Sequence, residues 1–483
     1  MKLFFKIIGG LFLLFLVASA VMAAMNWQMV MQIVRYNPLV IPAMYGEPAD
    51  LQEANEQDLK FARKLLKYDR SFSDEAETKF LTQLDALNEQ AATLSKAELY
   101  LGVARAVAHA DNGHTNLSTY PLYSEFNHAN VKFFWFADGL YIVRAHNMYA
   151  DLVGARVTGI GNKTPEEIVG SLSQYLGGAA NFRRLYATFH LESPQMMHAA
   201  GLAASPDALQ LTVIDRTGQE RDVALAAVSR DASLDVPGRR PFVTLQAIPM
   251  DGEGDDWTRT LNLTGSDAPL YLRNSDENFF WTKLDNSGVY IRPQLLLNRD
   301  DAVLVEQFEE VLGAFSDGEL GYMVVDLRWS PGGDYTQVID FVKSAPEKLS
   351  ADGRLYIVTG PQTFSAAIVM TAFLKYYGGE KSVIIGEQNG DREQFWAERG
   401  PLPFELPNSG FSINYSTGYH DWANGCADRH EYCFTQNIIH EVPAGSLAPD
   451  VMIAPTFADY ASGGDLIMNY ILSAQAPPDQ ESD

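Results

Sequence analysis

Short apolar runs alternate with helix-forming stretches between residues 322 and 385, and this alternation constrains the fold more than any other feature. The run YMVV, at residues 322–325, precedes a helical stretch over about 335–343. A second run, LYIV at 355–358, precedes a predicted helix over 365–377, and a third run covers 382–385. Strands about 30 residues apart with helices between them predict parallel pairing with right-handed crossovers. The fold class is therefore α/β.

Parallel strands place all the loops at their carboxyl ends on one side of the sheet, which is where ligands bind. The Gly332-Gly333 loop and the turn before Ser365 should therefore face one cleft. Ser365 begins a helix beside Ala366, so free N–H groups and the positive end of the helix dipole favour an oxyanion near its hydroxyl. Two ordinary interpretations stay open: Ser365 as a helix N-cap, and the two glycines as a tight turn.

A serine nucleophile needs a base, and His114 is the strongest candidate among nine histidines. Ser95 and Glu98 form a capping-box pattern that predicts a helix from there to about residue 110. His114 lies just after the end of that helix, on a turn that begins with Asp111. The alternative is an ordinary loop histidine.

Composition bounds the size of the protein and the classes of partner. At ~150 residues per domain, a chain of 483 residues suggests about three domains. Its 36 basic and 61 acidic residues give a formal charge of −25. A surface that negative repels phosphate backbones, which argues against nucleic-acid binding, and it disfavours flat docking on anionic lipid.

The amino-terminal segment carries targeting information. Lys2 and Lys6 precede a run of apolar residues over 7–25, with small residues suited to cleavage near its end. This pattern predicts a secretory signal over residues 1–24, and the alternative is an uncleaved membrane anchor. Either way, the rest of the chain is expected outside the cytoplasm, periplasmic or extracellular.

Two cysteines are present, Cys426 and Cys433. In an exported chain the default expectation is one disulfide that closes a small loop. The alternative is a zinc site recruiting His420, His430 and His440, but none of these spacings resembles a known zinc motif. We therefore predict a disulfide and no metal.

The chain divides into segments of different composition. Residues 25–118 form a helical region carrying the histidine turn, and 131–228 form a β-rich module around one helix. A connecting segment over 229–286 leads to the α/β domain at 287–472, and a polar tail covers 473–483.

Several of these motifs together resemble the carboxyl-terminal-processing (tail-specific) serine peptidases, in particular the branch of the tricorn core and the interphotoreceptor retinoid-binding protein. The segment VVDLRWSPGGD (324–334) is similar to the family's strand ending in D-L-R-x-N-x-G-G. TFSAA (363–367) followed by VIIGEQNG (383–390) is similar to the nucleophile segment and a downstream G-E. NGHTNL (112–117) is similar to the D-G-H-T turn of that branch, and residues 447–465 are similar to the P-D-I-x-V tail.

The resemblance implies a Clp-protease/crotonase-like catalytic domain preceded by a PDZ-like module, to which the β-rich region corresponds. It implies that Ser365 is the nucleophile. The oxyanion hole would then consist of the N–H of Ala366 and that of Gly332 or Gly333.

The sequence departs from the family pattern at the base. One branch has a lysine six residues after the glycine of the G-E pair, and here Gly386 leads to Arg392. Arginine stays protonated and cannot act as a base, so the resemblance favours His114 instead. It also implies a third residue, a glutamate upstream of the P-D pair, for which Glu441 is the nearest candidate. Glu441 is otherwise a surface carboxylate.

The sequence therefore predicts an exported serine-type endopeptidase or carboxyl-terminal-processing peptidase that hydrolyses peptides or unfolded proteins without a cofactor. The alternative is a catalytically inactive family member that binds an extended peptide or an apolar ligand in the same cleft. An acyl-CoA enzyme on the same scaffold is disfavoured by export and by the Ser-His pair. The oligomeric state stays open.

Overall fold

The structure is a computed structural model that describes residues 35–229, 244–250, 253–299, 302–426 and 431–475. The predicted leader at 1–24 and most of the polar tail lie outside these ranges. Within them, every helix is too short or too polar to cross a bilayer.

The helices are, in chain order, α1 (Leu51–Ala62), α2 (Asp74–Asn88), α3 (Lys96–Ala108), α4 (Pro121–Ser124), α5 (Pro165–Leu172), α6 (Ala180–Leu191), α7 (Pro194–Ala199), α8 (Leu304–Gly313), α9 (Ile339–Ser344), α10 (Ala366–Gly378), α11 (Thr435–Ile439), α12 (Phe457–Ala461) and α13 (Leu466–Ala474). The strands are β1 (Asn116–Leu117), β2 (His128–Ala129), β3 (Val131–Phe136), β4 (Gly139–His146), β5 (Arg156–Ile160), β6 (Ala208–Ile214), β7 (Glu220–Val228), β8 (Trp257–Arg259), β9 (Phe279–Leu284), β10 (Gly288–Pro293), β11 (Leu320–Asp326), β12 (Leu349–Thr359), β13 (Ser382–Gly386), β14 (Gln394–Ala397), β15 (Phe404–Glu405), β16 (Ser412–Asn414), β17 (Gly418–Asp421) and β18 (Val451–Met452).

The predicted parallel sheet is present in the carboxyl-terminal half. Its order is β18-β13-β12-β11-β10-β9, and every neighbouring pair is parallel except β9 with β10. The three runs read from the sequence are β11, β12 and β13, so that prediction is confirmed. The helical stretch predicted over 335–343 begins as a 3₁₀ turn, Tyr335–Val338, before α9.

The β-rich region forms a second, antiparallel sheet in the order β2-β7-β6-β5-β4-β3, with β8 also paired to β4. The strands β3 to β7 account for the predicted β-rich module, and its predicted helix is α5 followed by a 3₁₀ turn. Two helices that the sequence analysis did not place, α6 and α7, lie between α5 and β6.

The helical region is joined to both sheets. Ser95 caps α3 with the full capping box to Glu98, as predicted. One hydrophobic cluster combines side chains of α1–α3, of the antiparallel sheet, and of residues 404–415. Strand β1, directly after the histidine turn, pairs with β16 of the carboxyl-terminal half. This pairing fixes the histidine turn against the α/β part of the chain.

Candidate active site

Ser365 lies between β12 and α10 in a conformation that an ordinary cap does not need. Its φ is 54° and its ψ is −125°, and its side chain makes no capping hydrogen bond to the described helix α10. A non-glycine residue in that region costs about 1–3 kcal/mol and persists only where its surroundings enforce it. The sequence allows Ser365 to be interpreted either as a nucleophile or as a plain helix N-cap. Its conformation makes the N-cap the weaker of the two interpretations.

Hydrogen bonds enforce this conformation by tying together the loops that follow β11 and β12. The Thr363 hydroxyl donates to the Leu327 carbonyl at 2.8 Å and accepts from the Gly360 N–H at 2.9 Å. The Phe364 N–H donates to the Ser330 carbonyl at 3.1 Å. The two loops therefore face one cleft, as parallel pairing predicts.

Gly332 and Gly333 lie directly against the serine. Their φ values are 101° and 145°, which strongly favour glycine. A Cβ on Gly332 would lie 2.8 Å from both the Ser365 Cβ and the Ala366 nitrogen. Among the described residues, the N–H groups of Gly332, Gly333 and Ala366 donate to no backbone carbonyl. These donors are thus available beside the serine hydroxyl.

The turn that carries His114 is anchored on both sides. The Thr115 hydroxyl donates to Asp69 Oδ2 at 2.7 Å, and Asn112 Nδ2 donates to Thr115 Oγ1 at 3.1 Å and to Ser416 Oγ at 3.0 Å. Burial raises the pKa of Asp69, and hydrogen bonds from its neighbours offset part of that rise. The residues flanking the histidine therefore have a structural role.

Two aromatic rings stack on the His114 ring. Phe364, which precedes the serine, stacks on it with centroids 4.3 Å apart, and Phe395 of β14 stacks at 5.2 Å. Stacking against two rings restricts rotation of the imidazole. The residue before the candidate nucleophile thus positions the candidate base.

Asp391 completes the group, and the sequence analysis missed it. Its Oδ2 lies 3.6 Å from His114 Nδ1, and its side chain is 2% exposed. Asp391 Oδ1 accepts from the Arg392 N–H at 2.9 Å, whereas within the described residues Oδ2 and both His114 ring nitrogens make no hydrogen bond. Such contacts are often long without substrate and shorten when it binds. The sequence contains one pointer to it, because Asp391 directly precedes Arg392, at the position where one branch of the resembled peptidases has a lysine.

A single cavity of about 560 Å³ brings most of these groups together. Ser365, His114 and Gly333 line it, along with Glu398 and a polar wall that includes Asn414. Glu441 does not line this cavity; it is exposed, and its Cγ lies 3.7 Å from the position a Cβ on Gly425 would take.

The predicted disulfide between Cys426 and Cys433 is present, with their Cα atoms 5.9 Å apart. Of the histidines considered for zinc, His430 lies outside the described residues. His420 is buried, with its Nε2 3.3 Å from Glu398 Oε1. Within the described ranges, no group of three or more His, Cys, Asp or Glu side chains is arranged to hold a metal ion.

Taken together, the structure is an α/β fold with a strained serine at a helix N-terminus and a histidine beside a buried carboxylate.

No family model matches the sequence, and no curated protein matches it. Among solved structures, the chain is similar to a serine-to-alanine mutant of CPAF, with a TM-score of 0.57, 12% identity, and coverage of 88% of this chain and 97% of that one. It is also similar to mature CPAF complexed with lactacystin, with a TM-score of 0.56, 12% identity, and coverage of 88% and 98%.

The photosystem II D1 C-terminal processing protease also aligns, over 83% of this chain and 93% of that one, at 11% identity and a TM-score of 0.35. That score is too low to support a structural inference. The chain has the fold of mature CPAF, and this fits the resemblance to the carboxyl-terminal-processing peptidases. The PDZ-like and Clp/crotonase-like assignments stay predictions.

Proposed function

We propose that this protein is an exported serine peptidase that cleaves peptides or unfolded proteins. The observation that carries the proposal concerns Ser365. Its backbone is strained, its side chain makes no capping hydrogen bond to the described helix α10, and it lines one cavity with His114. Strain of this kind is found mainly at functional sites. The single disulfide supports export, because disulfides persist in oxidising compartments.

In the proposed mechanism, the Ser365 Oγ attacks the substrate carbonyl carbon while His114 accepts its proton. The tetrahedral oxyanion is bound by the N–H of Ala366 and that of Gly332 or Gly333. The imidazolium then gives its proton to the leaving amine, and water hydrolyses the acyl-enzyme by the reverse proton transfers. Asp391 accepts from Nδ1 and stabilises the imidazolium, in the role first assigned to Glu441. No metal or organic cofactor takes part.

The antiparallel sheet is the proposed PDZ-like module and substrate platform. Strand β3 is an edge strand, and Phe134–Ala137 at its end line a second cavity of about 430 Å³. An extended peptide could add to such an edge by main-chain hydrogen bonds. We propose no nucleic-acid partner, and we propose membrane attachment through the amino-terminal segment where that segment is retained.

Peptide cleavage by the purified protein tests the proposal. Denatured casein is incubated with the parent protein and with Ser365→Ala, His114→Ala and, as a matched control, Ser473→Ala, which changes an exposed serine on α13. We expect cleavage by the parent and the control, and a loss of at least about 1000-fold in the first two variants. A fluorophosphonate probe and lactacystin should both compete for Ser365.

Equal cleavage by Ser365→Ala and the parent would show that the nucleophile is wrong. A parent protein that binds casein peptides without cutting them would instead support the inactive, peptide-binding alternative.

A further inference from the structure

Among the described residues that line the cavity with Ser365 and His114, Glu398 is the one carboxylate, and the proposed mechanism does not use it. It directly follows β14 and lines the 560 Å³ cavity together with Ser365 and His114. Its side chain is 33% exposed, so it is accessible to solvent.

The backbone holds Glu398 in an unfavourable conformation. Its φ is 60°, and its carbonyl shares the Thr417 N–H with the Ala397 carbonyl, at 3.0 and 2.9 Å. Gly418 leaves room for the side chain, because a Cβ at that position would lie 3.0 Å from the Glu398 Cγ. Positive φ is disfavoured for glutamate, whereas glycine and asparagine tolerate it. The strain is therefore best explained by where it places the carboxylate.

That carboxylate has one charged or ionisable neighbour in ion-pair contact within the described residues. Among the described residues its ion-pair contact is with His420, whose Nε2 lies 3.3 Å from Oε1 and whose side chain is 1% exposed. The His420 ring stacks on Phe395 at 4.9 Å, so it supports the carboxylate from the protein side. Arg399 also lines the cavity, yet no ion pair joins it to Glu398 in the described part of the chain.

We infer that Glu398 selects substrates with a lysine or arginine side chain close to the bond that is cut. A partly buried carboxylate facing a cavity attracts a cation, and arginine can bind it through two parallel hydrogen bonds. This inference rests on the proposed function for the identity of the ligand as a peptide.

Binding to the non-cleaving Ser365→Ala protein tests the inference without requiring catalysis. Fluorescent hexapeptides carry one arginine, scanned through the six positions, or citrulline, its neutral isostere, at the same place. At one or two positions we expect arginine to bind about 5-fold more tightly than citrulline. The ratio should fall to about 1 in Ser365→Ala/Glu398→Gln and at about 1 M salt.

Glu405→Gln is the matched control, because it removes the same charge from an exposed position on β15. In Ser365→Ala/Glu405→Gln the ratio should stay at about 5. Equal binding of arginine and citrulline peptides, no binding of either, or a ratio that survives Glu398→Gln overturns the inference. Arginine selectivity that depends on Glu398, in a parent protein that never cuts, would refute the proposed function and leave only the cation preference of the cavity standing. Cleavage without arginine selectivity would overturn this inference and leave the proposed function standing.

Discussion

Replacing Glu387 with glutamine should stabilise the protein in alkaline solution and have little effect in acid. Glu387 follows β13 and lines the second cavity with Arg184 and Arg328. Burial raises its pKa to about 7, and the two arginines offset part of that rise. Arg328 is already bound by Asp326 and Asp465 at 2.9–3.0 Å, so little of its charge is left for Glu387.

The sign and size of the effect follow from the raised pKa. Because the folded state holds the proton more tightly, the stabilisation from protonated Glu387 is complete below pH 4.5 and is lost as the pH rises through about 7. The difference between 4.5 and about 7 corresponds to about 3 kcal/mol of unfolding free energy above pH ~8. Glutamine does not ionise and avoids this loss. Relative to the parent, Glu387→Gln should gain about 3 kcal/mol at pH ~9 and under 1 kcal/mol at pH ~5.

Urea unfolding followed by tryptophan fluorescence at those two pH values measures the difference. Glu380→Gln, which changes an exposed carboxylate just before β13, is the control and should show no such pH dependence. A gain for Glu387→Gln that is the same at both pH values would refute the assignment of a raised pKa to this partly buried carboxyl group.

Three further predictions concern the site itself. Under the proposed function, Asp391→Asn should lower kcat by about 10²–10⁴-fold with little change in KM, and steady-state kinetics on a fluorogenic peptide would detect it. Gly332→Ala should lower kcat by at least about 100-fold, because its Cβ would lie 2.7 Å from the backbone of the serine loop; fluorophosphonate labelling rates check this independently of substrate. Thr115→Val removes a 2.7 Å hydrogen bond to buried Asp69 and should lower the free energy of unfolding by about 1–3 kcal/mol in urea titrations. Unchanged kinetics in the first two variants, or unchanged stability in the third, would contradict the corresponding role.

The parallel sheet could be predicted because its strands are continuous apolar runs bounded by glycine-containing turns. The carboxyl-terminal parts of strands β11, β12 and β13 are buried on both faces, and that burial requires such runs. The capping box at Ser95 was equally clear, because its two hydrogen bonds depend only on residues three positions apart. Both features are determined by local sequence.

The rest of the site depends on contacts between distant residues. Asp391 has no local pattern that separates it from a surface aspartate, and its burial arises where the loop after β13 meets the histidine turn. The packing of residues 404–415 into the core of α1–α3 likewise joins segments roughly 300 positions apart or more. Sequence periodicity carries no information about which distant segments meet, so these features required the structure.

The backbone dihedral angles provide evidence about the site that the sequence does not contain. Six non-glycine residues have positive φ in the described ranges. Three of them are asparagine or aspartate, which tolerate that region, and Ser287 lies in the tight turn between β9 and β10. Ser365 and Glu398 do not share that tolerance, yet both line the one cavity that also contains His114. They belong to different loops and are 33 positions apart in the chain, so one distorted turn cannot account for both. Two unfavourable backbone conformations around a single cavity need a common reason. The simplest reason is that the function of the cavity requires the Ser365 hydroxyl and the Glu398 carboxylate at these positions.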